Sequence, residues 1–160
     1  MDDGVFSFVE PTAIPLWEVS VRLALAAILG GVIGFERERG QHAAGLRTHM
    51  LVALASAVFA VLMIEFLEGA LSNPDRIRLD PTRVLVAVTT GVAFLAAGTI
   101  IRSGRQVHGL TTGAGLWLAG ALGTASGLGY LQIAGVATVI GVIVIVFLKV
   151  VDNAIDKDSG

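Results

Sequence analysis

Residues 48–67, THMLVALASAVFAVLMIEFL, run for most of their length without a charge and meet the first acidic side chain at Glu65. A helix needs about 17 to 25 mostly apolar residues to cross a hydrocarbon layer of about 30 Å. This stretch meets that requirement. Four others meet or approach it: 16–35, which holds Glu18 and Arg22 near its start, then 84–101, 110–127 and 131–151. A chain of 160 residues has too few polar elements to cover five such helices in water. The expected fold is therefore an all-α membrane protein, a bundle of about five transmembrane helices in one domain over 1–151, with a polar cytoplasmic tail at 152–160.

Composition agrees. The chain is 54% hydrophobic and only 15% charged, with a mean hydropathy of +0.80, whereas soluble domains carry about 25% charge. Twenty glycines fit helices that approach one another closely. A net charge of −2 gives no reason to expect a nucleic-acid partner. The absence of cysteine excludes disulfides, thiolate catalysis and thiolate metal sites. No serine, histidine and carboxylate share a catalytic motif, and neither a phosphate loop nor a histidine-rich spacing occurs. No enzyme, metal or cofactor is expected. The acidic start Met1-Asp2-Asp3-Gly4 reads as the approach to a retained helix, not as a secretory leader.

The connections are short: 36–47, 69–83, 102–109 and a tight turn near 127–130. With the N-terminus outside, Arg37, Arg39, Arg47, Arg102, Arg105, Lys149 and Lys157 fall inside, against Arg76, Arg78 and Arg83 outside. The positive-inside rule then favours N-out, C-in. Two hairpins repeat at an offset of 64 residues, since Gly34 stands before Gly45-Leu46-Arg47-Thr48 as Gly98 stands before Gly109-Leu110-Thr111-Thr112. Both have the same orientation, so the repeat axis would lie along the membrane normal.

That topology gathers Glu36, Arg37, Arg47, Thr48, His49, Arg102, His108, Thr111 and Thr112 at the cytoplasmic face. Helix starts favour anions, so the cluster reads either as a pocket for an anionic group or partner carboxylate, or as caps and interfacial anchors, with Glu36 or Glu38 pairing with the arginines. On the outer side, Asp80 is expected to cap the third helix, Pro81 to occupy its first turn, and Arg83 to fold back onto Asp80 or Asp75. Arg22 is the costliest residue in the chain; it either snorkels past Glu18 or pairs with Glu65. Gly30, Gly34, Gly113, Gly120 and Gly127 are expected to be helix-packing positions, either inside the monomer or at a homodimer face. Trp117 is expected to pack on a glycine-rich neighbour, and the fifth helix to face lipid.

The motifs Gly34-Phe35-Glu36-Arg37, Ala44-Gly45-Leu46-Arg47-Thr48-His49-Met50-Leu51-Val52, Asp80-Pro81-Thr82-Arg83, Gly91-Val92-Ala93-Phe94-Leu95-Ala96-Ala97-Gly98 and Gly109-Leu110-Thr111-Thr112, followed by Trp117, resemble the MgtC/SapB family of bacterial inner-membrane proteins. The resemblance runs from about residue 19 through the fifth helix. Ala93 and Ala96 stand where the family usually has glycine, and many members continue into a cytoplasmic ACT-like domain. The resemblance implies a link to growth in low magnesium and to survival inside macrophages, together with binding to, and restraint of, the F-type ATP synthase. An older label of magnesium transporter also attaches to the family. Glu36, Arg37, Arg47, Thr48, His49, Asp80, Arg83, Arg102, Thr111 and Thr112 carry over as motif positions without assigned chemistry. Three functions follow as expectations: a regulator that binds another membrane complex, a small ion or solute transporter, or a structural homo-oligomer, a dimer first among them.

Overall fold

The computed structural model describes residues 11–71, 80–103 and 106–158. They form five helices and one small hairpin: α1 (Leu16–Arg39), α2 (Leu46–Leu71), α3 (Thr82–Gly98), β1 (Ile101–Ser103), β2 (Gln106–His108), α4 (Leu110–Gly127) and α5 (Leu131–Asp158). α1 and α2 are long and apolar enough to cross a membrane, while α3 and 131–147 of α5 are shorter apolar helices.

The helix limits depart from the hydropathy expectation for physical reasons. α1 runs on past Phe35 through Glu36–Arg39 because these charged residues are good helix formers that leave the apolar layer without leaving the helix. α5 likewise continues to Asp158, into the segment read as a tail. α3 stops at Gly98 instead of 101, and the connection read as a plain loop contains an antiparallel pair, Ile101 opposite His108 and Ser103 opposite Gln106.

α4 is the centre of the bundle and touches all four other helices. Its buried face is mainly glycine and alanine, with Leu116 and Leu122 as the large fully buried side chains. A Cβ on Gly123 would stand 2.0 Å from the Ala53 carbonyl oxygen, and one on Gly127 would stand 2.4 Å from that of Ala57. α2 and α4 therefore meet backbone to backbone. On the other side of α2, Gly30 lies against Ala53 and His49, and Gly34 against Leu46 and His49. α1, α2 and α4 thus form a close-meshed trio built on small residues, as helices in lipid commonly do.

α3 is held differently. It leans on α4 through Val92 at Gly120 and Ala96 at Gly113, and touches α2 lightly. Phe94 is 79% exposed, and a Cβ on Gly91 or Gly98 would meet nothing within 4 Å. The 64-residue repeat is present in the helix starts, Leu46 and Leu110, but its two halves pack unlike each other: Gly34 is buried against α2, while its counterpart Gly98 lies open. On α5, Ala134 and Thr138 are buried against the bundle, and most of the large apolar side chains up to Phe147 are exposed.

These contacts predict opposite outcomes for two alanine substitutions. Gly123→Ala drives a methyl into the Ala53 carbonyl and lowers stability by about 1–3 kcal/mol, the range for overpacking. Gly91→Ala adds a methyl to open space and leaves stability near the parent value. Thermal unfolding in detergent compares them; equal midpoints would contradict the packing described.

Candidate functional site

The polar residues sort onto two ends. The hairpin end collects the C-terminus of α1, the N-termini of α2 and α4, and β1–β2. The opposite end collects the start of α1, the α4–α5 turn and the start of α3.

At the hairpin end the nine expected residues divide by burial. Arg37 is 5% exposed, His49 0% and Thr112 3%, and each comes from a different helix of the trio. Glu36 is half-buried, whereas Arg47, Thr48, Arg102, His108 and Thr111 are exposed. The trio's register explains His49. Ala53 meets Gly123, so His49 begins one turn lower on α2, and helical side chains lean towards their own N-terminus. The ring comes to rest against Gly115, where a Cβ would lie 3.0 Å from Nε2.

His49 Nδ1 lies 2.8 Å from the Gly45 carbonyl oxygen. A carbonyl only accepts, so Nδ1 carries the proton and donates it, and Nε2 presents a lone pair. That Nε2 is buried and has no hydrogen-bond partner among the described residues, and the same holds for Arg37 Nε. A buried polar atom left without a partner costs about 1–3 kcal/mol. The Arg37 guanidinium is close enough to act on the ring electrostatically, and Arg37 Nη1 stands 3.7 Å from Glu36 Oε2. Arg39 takes another course, lying over the Phe35 ring at 4.7 Å from its centroid.

The two Gly-Leu-x-Thr starts differ. In the first, the Leu46 N–H donates to Glu38 Oε2 at 2.9 Å, so Glu38 closes that helix end and does not pair with an arginine there. The same carboxylate fills the space in which a Gly45 side chain would stand. In the second, Gly109 adopts φ +86 beneath the Thr99 carbonyl, a conformation suited to glycine, and no side chain caps α4. The open helix start is therefore that of α4.

At the opposite end Arg22 takes the Glu18 side of its two expected courses, and no Arg22–Glu65 pair forms among the described residues. Arg22 Nη1 donates to the Gly127 carbonyl at 2.9 Å, and Nη2 pairs with Glu18 one turn away. A guanidinium on the last carbonyls of α4 complements the negative end of its dipole, an anchor Glu65 cannot better. Glu65 instead accepts from the Ala13 and Ile14 N–H groups at 2.6 and 3.1 Å and pins the approach to α1. Asp80 Oδ1 accepts from the Thr82 N–H at 3.0 Å and from the Thr82 hydroxyl at 2.6 Å, which starts α3; Arg83 is exposed. Asp75, Arg76, Arg78 and Arg105 lie outside the described residues, as do the side chains of Lys149 and Lys157.

Gly113, Gly120 and Gly127 face Ala96, Val92 and Ala57 of the same chain. Ala96, at a position where glycine was expected, is buried at that contact, and Ala93 is exposed. Trp117 is not packed against a glycine surface. It is 53% exposed at the rim of a groove between α3 and α4, because the inward face of α4 is already filled by α1 and α2. Gly115 is the contributor that motif reading passed over, and Glu38, expected opposite an arginine, serves the start of α2 instead. Glu38 carries a signal, an acidic residue eight positions before a helix start, while Gly115 carries none outside the packed bundle.

Two long apolar helices at the head of a small-residue bundle fit an all-α membrane protein. Its sequence matches the MgtC family model over residues 23–154, and the chain belongs to that family. It is 42% identical to the protein MgtC of Brucella abortus over 125 residues, 78% of this chain and 49% of that one. It is 40% identical to MgtC of Salmonella typhimurium over 120 residues, 75% and 48% of the two chains. It is also 40% identical, over 116 residues (72% and 54%), to the Escherichia coli K12 protein called "Putative magnesium transporter YhiD". The chain thus spans about half the length of these curated relatives. No solved structure matches.

Asp80 gives the site a titration that can be checked. The Thr82 hydroxyl and N–H hold its carboxyl below its ordinary value of 3.8. Because the folded value is lowered, the ionised cap contributes stability above the ordinary carboxylate range and loses it as pH falls through the folded value. Carboxyl NMR titration should show the Asp80 midpoint below 3.8, rising towards it in Thr82→Ala, in which only the backbone bond remains. Identical midpoints in parent and variant would remove the hydroxyl from the cap.

Proposed function

We propose that this chain is a magnesium-linked regulatory protein of the bacterial inner membrane that works by docking on another membrane complex, such as an F-type ATP synthase. It crosses the membrane five times, N-terminus outside and hairpin end in the cytoplasm. The orientation is supported by Arg37, Arg39, Arg47 and Arg102 at the hairpin end, against Arg22 and Arg83 beside Glu18, Glu65 and Asp80 at the other. The link to magnesium is supported by family membership and by the name of the YhiD relative.

The observation that carries the docking reading is the buried Arg37, whose Nε has no hydrogen-bond partner among the described residues, at the same end as the exposed Arg47, Thr48 and Thr111. A partner's acidic group arriving at the open start of α4 would meet the helix dipole and a buried guanidinium. No reaction is assigned to the chain. A two-copy assembly, where one forms, uses a face other than Gly113, Gly120 and Gly127, which are occupied within the chain.

Co-reconstitution with an F-type synthase in vesicles tests this. The chain should slow both ATP hydrolysis and ATP-driven proton pumping, and Arg37→Gln should relieve that inhibition by about tenfold in effective concentration, as loss of one charge-assisted contact implies. Unchanged hydrolysis and pumping would end the docking reading. Mg2+ flux into vesicles holding the chain alone, abolished in Glu36→Ala, would replace it with transport. Against transport, no group of three metal-ligating side chains occurs among the described residues, and Mg2+ prefers carboxylates and water.

A further inference from the structure

The light contact between α2 and α3 leaves a groove of about 460 Å3 between them. Its walls are Val52, Ala55 and Phe59 of α2 and Ala87, Gly91 and Leu95 of α3. Ser56 adds a hydroxyl part-way along, and Arg83 stands at one end. From Arg83 to Leu95 is twelve residues of α3, about 18 Å at about 1.5 Å per residue. One leaflet of a bilayer contributes about 15 Å of hydrocarbon, half of about 30 Å. The groove is therefore about one leaflet deep, apolar along its walls, and cationic at a single rim.

We propose that this groove is a binding site for an anionic phospholipid of the leaflet on the Arg83 side, with an acyl chain along Phe59, Ala87, Gly91 and Leu95 and its phosphate on the Arg83 guanidinium. The charges at the rim fit this occupant. Arg83 is exposed and makes no ion pair among the described residues. Among the described residues the carboxylate beside it is Asp80, which acts on Arg83 electrostatically but takes its hydrogen bonds from the Thr82 N–H and hydroxyl, so the guanidinium keeps its own donors for a phosphate. The positive end of the α3 dipole lies at the same rim and adds to the attraction for phosphate. An arginine at a membrane boundary presents its head to the lipid phosphates while its stem stays against apolar surface. A transmembrane helix from a second protein would need a channel open along both leaflets. This groove runs only from Arg83 to Leu95 and holds a charge at one end.

The proposal rests on the membrane-crossing reading above, and the test separates the two. The chain is purified from membranes in mild detergent and examined by native mass spectrometry with added palmitoyl-oleoyl phosphatidylglycerol or phosphatidylcholine. The parent should retain one phosphatidylglycerol and prefer it to phosphatidylcholine. Gly91→Leu fills the groove from a position where a side chain meets open space, and should abolish retention without lowering the unfolding midpoint. Ala87→Leu, on the same wall, is the second blocking variant should the first fold poorly. Arg83→Gln should weaken phosphatidylglycerol by about tenfold and erase the preference over phosphatidylcholine, whereas Arg83→Lys should keep it in part. Equal retention in the parent and both blocking variants overturns the site. So does a dimer mass in place of bound lipid, present in the parent and lost in Gly91→Leu. Release of the chain from membranes by alkaline carbonate would instead overturn the membrane-crossing reading.

Discussion

Backbone contact between α2 and α4 fixes the positions of everything else. At Gly123 on Ala53 and Gly127 on Ala57 no side chain separates the two helices, and a single methyl would force them apart. In water such an interface would be driven by expelling solvent. In lipid that drive is absent, and close van der Waals approach supplies the attraction. The same economy governs α1, whose Gly30 and Gly34 rest on Ala53, His49 and Leu46. Once three helices are drawn this close, the side chains near their contacts have few directions left. His49 sits at that shared surface, with its ring against Gly115 of α4 and its backbone and Cβ against Gly30 and Gly34 of α1.

The two ends of the bundle treat charge differently. At the Arg22 end several described charges have local work: Arg22 on the last carbonyl of α4 and on Glu18, Glu65 on the N–H groups before α1, Asp80 on the first N–H of α3. These are the helix-terminus debts that burial in a membrane makes expensive to leave open. At the hairpin end Glu38 settles one such debt, at Leu46, but Arg37 Nε and His49 Nε2 stay unmatched among the described residues. A protein built only to be stable would replace both by apolar groups at little loss.

Much of this was legible in the sequence because lipid imposes a simple test on it. A run such as 48–67 has one satisfactory backbone state in hydrocarbon, so helices could be placed by length and polarity alone. The starts of α2 and α4 fall on the two leucines of the repeated Gly-Leu-x-Thr motif. What stayed hidden depends on partners distant in the chain. Arg22 finds a backbone carbonyl 105 residues away, and no side-chain pattern encodes a carbonyl. The repeat suggested equivalent hairpins, yet Gly34 is buried and Gly98 is open, because α4 has only one inward face and α1 and α2 already occupy it. Of the nine polar residues grouped by topology, burial singles out Arg37, His49 and Thr112, a division that only the helix rotations decide.

That asymmetry between the repeats has a structural consequence. α3 follows α1 at the 64-residue offset, but α1 and α2 already occupy the inward face of α4, so it lies on the flank of α4 at Val92 and Ala96. The displacement opens a groove on each side of it, toward α2 and toward Trp117. Asp80 and Thr82 keep the start of α3 in place even though little packs against its outer face. The bundle thus joins a tightly meshed trio, which carries the unmatched polar atoms, to a loosely attached helix that offers apolar surface and one exposed guanidinium.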